Sequence, residues 1–142
     1  MMVKQISVFL ENKPGKLKEL TDVLRENNIN MRALSVADAQ DFGIVRLIVD
    51  VYNASTVIKD AGYVSSTKDV MAIELSDQPG SLANVLDIFG ENGINVEYMY
   101  AFNTHTSGKA HLIFRVTDIK KGAEVLKASD VRLISQEDLA KL

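Results

Sequence analysis

The amino-acid sequence predicts an α+β protein made of two βαββαβ units in tandem, each an antiparallel sheet with its helices on one face. Three observations predict it. The 142-residue chain matches itself at a spacing of 65 positions: Leu10, Pro14, Gly15, Leu17, Asp22, Glu26, Asn27, Ile29, Asn30, Gly43, Leu47, Ile48 and Val51 all fall on identical residues. No gap is needed as far as the Val51/Val116 pair, which marks a duplicated supersecondary unit. Within each copy, apolar residues alternate in some segments (Ile6, Val8, Leu10) and recur at helical spacing in others (Leu17, Leu20, Val23, Leu24).

In the first copy, residues 5–10 alternate and form a strand, and Asn12-Lys13-Pro14-Gly15 turns the chain into a helix that ends at Asn27-Asn28. Asn28 falls on Gly93 in the second copy, the exchange expected of a left-handed residue just past a helix. Strands follow at 29–37 and 44–51, joined through residues 39–43, with Val45, Leu47, Val49 and Val51 on one face. A short helix at 53–61, with Asn53 as its N-cap, and a strand at 63–68 complete the unit. The second copy repeats the order: strand 70–75, turn 77–80, helix 81–92, strands 94–102 and 110–116, helix 119–128 capped by Asp118, and strand 131–135. Ser135-Gln136-Glu137-Asp138 resembles a capping box opening a terminal turn. The domains are thus 1–69 and 70–142, with Asp69 alone as linker.

Split βαβ units of this order give ferredoxin-like sandwiches. The sheet face without helices carries Phe9, Ile48, Ile113 and Tyr98 or Tyr100, a set apolar enough to be expected to bury against another sheet. Units of about 65 to 70 residues bury only about 60% of their unfolded surface, so the halves are expected to pack on each other and on a second chain, as a homodimer.

Composition narrows the function. A net charge of −3 offers no basic patch for phosphates, so nucleic acid is not expected as a partner. Without cysteine there are no disulfides, thiolate metal sites or cysteine nucleophiles. The alternating start lacks a signal-peptide core and no apolar run approaches about 18 residues, so a cytoplasmic protein without membrane contact is expected. His105 lies in the 103–108 loop and His111, aligned with Arg46, on the bare sheet face. Two histidines without orienting partners at motif spacing point to loop and surface polarity rather than a metal site. No phosphate loop, nucleophile elbow or metalloprotease motif occurs, and the carboxylates sit among lysines on helix surfaces, so no enzyme activity and no cofactor are expected.

The sharpest local signal is the turn after the first strand of each copy, Asn12-Lys13-Pro14-Gly15-Lys16-Leu17 and Asp77-Gln78-Pro79-Gly80-Ser81-Leu82. Glycine lets a ligand approach the backbone, and the helix start presents unpaired N–H groups that suit a carboxylate, while Asn12 or Asp77 can face an ammonium. A tight strand-to-helix turn with no ligand accounts for the same residues.

Asn/Asp-x-Pro-Gly-x-Leu after the first strand, a dozen helical residues and then Asn/Gly-Ile-Asn resembles the ACT domain, once per copy over nearly the whole chain, and most resembles small stand-alone proteins of two tandem ACT domains. The resemblance implies regulatory binding of a free amino acid at an interface between ACT units, by the turn after the first strand and the start of the second. Carried over by position, it points to Asn12, Gly15, Lys16, Leu17, Ile29 and Asn30, and to Asp77, Gly80, Ser81, Leu82, Ile94 and Asn95. Asp77 is closer than Asn12 to the family pattern and favours the second turn as the ammonium binder. The alternative is a regulatory subunit that contacts an amino-acid metabolic enzyme, its Pro-Gly turns purely structural. The RNA-recognition fold of the same order is disfavoured because the central strands lack exposed aromatics flanked by basic residues.

Overall fold

The computed structural model describes residues 2–50 and 52–142. Val51, expected on the third strand and in the Val51/Val116 match, lies outside the described residues, as does Met1. The chain forms two compact units, Lys4–Lys68 and Asp69–Leu142, the second also taking in Met2 and Val3. The elements are β1 (Val3–Glu11), α1 (Lys16–Glu26), β2 (Met31–Ala39), β3 (Phe42–Val49), α2 (Ala54–Asp60) and β4 (Val64–Ser76). They continue as α3 (Ser81–Glu91), β5 (Val96–Phe102), β6 (Lys109–Val116), α4 (Ile119–Ala128), β7 (Arg132–Ile134) and α5 (Gln136–Lys141). The strands expected on either side of Asp69 are one strand, β4, because nothing in Val64–Ser76 turns the chain. Strand order is β2-β3-β1-β4 in the first unit and β5-β6-β4-β7 in the second, the ferredoxin-like order in each case.

Alternation and helical spacing converge on one core per unit. In the first, Ile6, Val8 and Leu10 of β1 and Val45, Leu47 and Val49 of β3 pack with Leu20 and Leu24 of α1 and Ala54 and Ile58 of α2. In the second, Met71, Ile73, Leu112, Phe114 and Val116 meet Val85 and Phe89 of α3 and Ala123 and Leu126 of α4. Phe89 and Phe114 meet edge to face, centroids 5.6 Å apart at 68°. Each large side chain buried in this way contributes about 1.5–3 kcal/mol.

Helix ends follow the local chemistry. Both main helices stop in the same way: Asn28 N–H bonds Arg25 O and Ile29 N–H bonds Leu24 O, as Gly93 does to Gly90 and Ile94 to Phe89. This is the Schellman pattern, with Asn28 (φ 55°) and Gly93 (φ 68°) in the left-handed region. Asp118 accepts the Lys121 N–H and Ser135 the Asp138 N–H, so both caps expected there are made. Asn53 makes no side-chain cap bond, contrary to expectation; its φ/ψ of −88°/6° is not the extended conformation that aims a capping side chain at the next turn.

The repeat is not gapless in three dimensions. Ile6 pairs with Leu47, but Met71, 65 positions on, pairs with Phe114, which is 67 positions beyond Leu47. The hairpins agree: Ala33 pairs with Ile48, whereas Tyr98 pairs with Arg115. The second hairpin therefore carries two extra residues. Its ladder closes at Phe102/His111, whereas the first continues to Ala39/Phe42 with only Gln40 and Asp41 between. Gly43, a strand residue, and Gly108, a loop residue at φ 74°, are not equivalent, and His111 corresponds to Ile44 rather than Arg46. A slip of two keeps every side chain on its face, so the alternation fits both registers. On the faces away from the helices, Ile48 and Ile113 are fully buried, Tyr98 and Tyr100 are half-buried, and Phe9 remains 44% exposed.

Candidate functional site

Each Pro-Gly turn is built by the same bonds. Asn12 N–H donates to Asp41 O, Lys16 N–H to Lys13 O and Glu19 N–H to Gly15 O. Asp77 N–H donates to Gly108 O, Ser81 N–H to Gln78 O and Asn84 N–H to Gly80 O. Gly15 (φ 85°) and Gly80 (φ 88°) hold the left-handed conformation that reverses the chain, and space for a Cβ is open at both, so glycine is there for its backbone angle. The first-turn amides of Leu17 and Lys18, and of Leu82 and Ala83, have no carbonyl four residues back within their helices. Leu17 and Leu82, 39% and 37% exposed, flank them with apolar surface.

The side chains differ between the copies. Asn12 Nδ2 donates to Gln40 O at 3.3 Å, which ties the first turn to its hairpin. Asp77 has only acceptors and cannot make that bond; its carboxylate has no hydrogen bond or ion pair among the described residues. Lys16 pairs with Glu19 at 3.6 Å, and Lys13 with Glu11 at 2.9 Å. The hydrogen bond from Lys13, then the charges of Lys13 and Lys16, hold the Glu11 carboxyl below its ordinary range. The first turn thus carries paired charges, and the second an unpaired carboxylate beside the half-buried Ser81.

The strand-entrance residues lie elsewhere. α1 and α3 each run 11 residues, about 16 Å, between the Pro-Gly turn and Ile29-Asn30 or Ile94-Asn95. One unit therefore does not bring both sets to one small ligand. Ile29 and Ile94, 7% and 5% exposed, close the Schellman caps and enter the cores. Asn30 borders an open groove of about 470 Å³ with Thr21, Arg25, Asn28 and Met31. The Asn95 backbone makes two bonds with Thr117: its N–H donates to the Thr117 side-chain Oγ1 at 3.3 Å and its carbonyl accepts the Thr117 N–H at 3.0 Å.

One constellation has no signature in the sequence. His111, expected as surface polarity, is buried, its side chain 1% exposed. Its Nδ1 lies 2.8 Å from Thr104 Oγ1 and its Nε2 2.9 Å from Glu74 Oε2, while Arg132 Nη1 donates to Glu74 Oε1 at 3.0 Å. The Phe102 ring lies beside the imidazole, centroids 5.5 Å apart. Burial, the largest influence on Glu74, opposes its charge, but the His111 and Arg132 contacts outweigh it and hold the carboxyl below its ordinary value. An ionised Glu74 only accepts, so Nε2 donates to it and, in the neutral ring, Nδ1 accepts from the Thr104 hydroxyl. The first copy has Phe9 and Ile44 where the second has Glu74 and His111. Only the register reveals that Glu74 faces His111. Among the described residues no group of three or more histidine or acidic side chains is placed to hold a metal, and no helix is long and apolar enough to cross a membrane.

The family model for an ACT domain pair matches residues 1–142, and the chain belongs to that family. Its structure is similar to that of a protein from Bacteroides thetaiotaomicron, 41% identical, over 100% of this chain and 98% of that one, with a TM-score of 0.93. The fold is also that of the regulatory subunit of aspartate kinase from Thermus thermophilus, 13% identical over 89% of this chain and 92% of that one, TM-score 0.64. The corresponding subunit from Thermus flavus is 14% identical over 88% of each chain, TM-score 0.60. A search of curated proteins finds no match.

Proposed function

We propose that this ACT domain pair is a non-catalytic regulatory protein that binds a free amino acid at an interface between ACT units, as a homodimer in the cytoplasm. The observation that carries the reading is the unpaired Asp77 carboxylate, next to the free first-turn amides of α3. One end of a zwitterion can pair with Asp77 and the other with the amides of Leu82 and Ala83, aided by the positive end of the helix. Asn12 is committed to Gln40 and Lys16 to Glu19, so the second turn is the stronger candidate. Exposed Leu34 and Val36 on the edge strand β2 favour pairing with a second copy. Regulation is a population shift: the ligand favours one arrangement by its difference in affinity for the two.

A second reading has its own support. The backbone bonds of the two turns are the same despite different side chains, as a purely structural turn requires, and α3 exposes Leu82 and Leu86 on its outer face. On that reading the chain is a regulatory subunit that contacts an amino-acid metabolic enzyme. Thermal unfolding against each of the twenty free amino acids decides. A ligand at about 100 times its dissociation constant adds about 2.7 kcal/mol, several degrees for a chain of this size. A rise with one or a few related amino acids supports the sensor; a flat panel favours the subunit.

A further inference from the structure

The two extra residues of the second hairpin lie in the 103–108 loop, and this loop ends against the Pro-Gly turn. β4 and β6 pair as far as Ser76/Lys109, and at the next step Gly108 O accepts the Asp77 N–H at 3.0 Å. At the other end of the loop, the Thr104 hydroxyl reaches His111, which is held by Glu74 and, through it, by Arg132. Thr106 N–H folds back onto the same hydroxyl at 3.4 Å. The first copy closes its hairpin with two residues and no such network, so the fold itself does not require one. Burying the Glu74 carboxylate, 8% exposed, is an expensive way to hold a loop and adds little net stability over apolar packing.

We infer that the 103–108 loop is a wall of the amino-acid site at the Asp77–Leu82 turn, held in place by Thr104, His111, Glu74 and Arg132 as positioning residues. The inference rests on the amino-acid-binding reading above. It makes the two turns unequal: beside the second runs the longer loop Asn103-Thr104-His105-Thr106-Ser107-Gly108, whose end accepts the Asp77 N–H, whereas the first meets only Gln40 and Asp41. Thr104 is the residue that links the buried network to the loop. Its hydroxyl should therefore matter to ligand affinity without touching the ligand.

The experiment is calorimetric titration of the full chain, Thr104→Val and Thr104→Ser with each of the twenty L-amino acids singly. For the amino acid that the parent chain binds, Thr104→Val is expected to weaken binding on the order of tenfold, and Thr104→Ser, which keeps the hydroxyl, to restore it. Unchanged affinity in Thr104→Val, even with a lower unfolding midpoint, overturns the role of the loop and leaves the amino-acid reading standing. A parent chain that binds none of the twenty overturns that reading and the loop's role with it.

Discussion

Glu74 and His111 face each other across β4 and β6, 2.9 Å between Oε2 and Nε2, with side chains 8% and 1% exposed. The folded protein holds Glu74 below its ordinary value of 4.5, so its contribution to stability is complete above that value and is lost as pH falls through the folded value. Glu74→Gln should therefore lower stability by about 1–3 kcal/mol at neutral pH, with the difference from the parent shrinking in acid. Urea unfolding from pH 7 down to the acid range checks this; a difference independent of pH refutes it.

The two turns should separate stability from binding. Asn12→Ala removes the bond to Gln40 O and should cost about 0.5–1.5 kcal/mol while leaving amino-acid binding in place. Asp77→Ala should leave stability within about 0.5 kcal/mol and abolish the ligand-induced rise in the unfolding midpoint. Thermal unfolding of both variants with and without the bound amino acid makes the comparison.

Two residues at equivalent helix starts should behave differently. Asp118→Ala removes a cap bond made to Lys121 N–H and should cost about 1 kcal/mol. Asn53→Ala removes no cap bond and should be close to neutral in the same denaturation measurement.

The left-handed Asn28 offers a fourth test. Asn28→Ala places a methyl-bearing residue at φ 55° and should cost about 1 kcal/mol, whereas Asn28→Gly, the residue of the second copy, should be neutral or slightly stabilising. Equal stabilities for the two variants would show that the Schellman cap tolerates any residue there.

Much of the candidate site was legible. The Pro-Gly turns follow from a four-residue pattern whose geometry is local, and the contrast between Asn12 and Asp77 is visible in the letters. What the contrast does is not: that Asn12 reaches Gln40, 28 positions away, depends on how the hairpin closes. Ile29 and Ile94 stood out with the asparagines that follow them, but their side chains end in the cores because a Schellman cap turns that position inward.

The order of the letters alone is enough for the duplication, the βαββαβ order, the helix stops at Asn28 and Gly93, and the core-facing sets Ile6, Val8 and Leu10 of β1 and Val45, Leu47 and Val49 of β3. All of these follow from neighbours within a few positions or from a period of two or 3.6. Only the tertiary structure decided that β6 is shifted by two residues, that Glu74 consequently meets His111, and that Thr104 joins them from the loop. The physical reason is that a two-residue slip leaves every side chain on the same face: alternation cannot tell the registers apart, and the choice falls to long-range hydrogen bonds and to the way each hairpin closes.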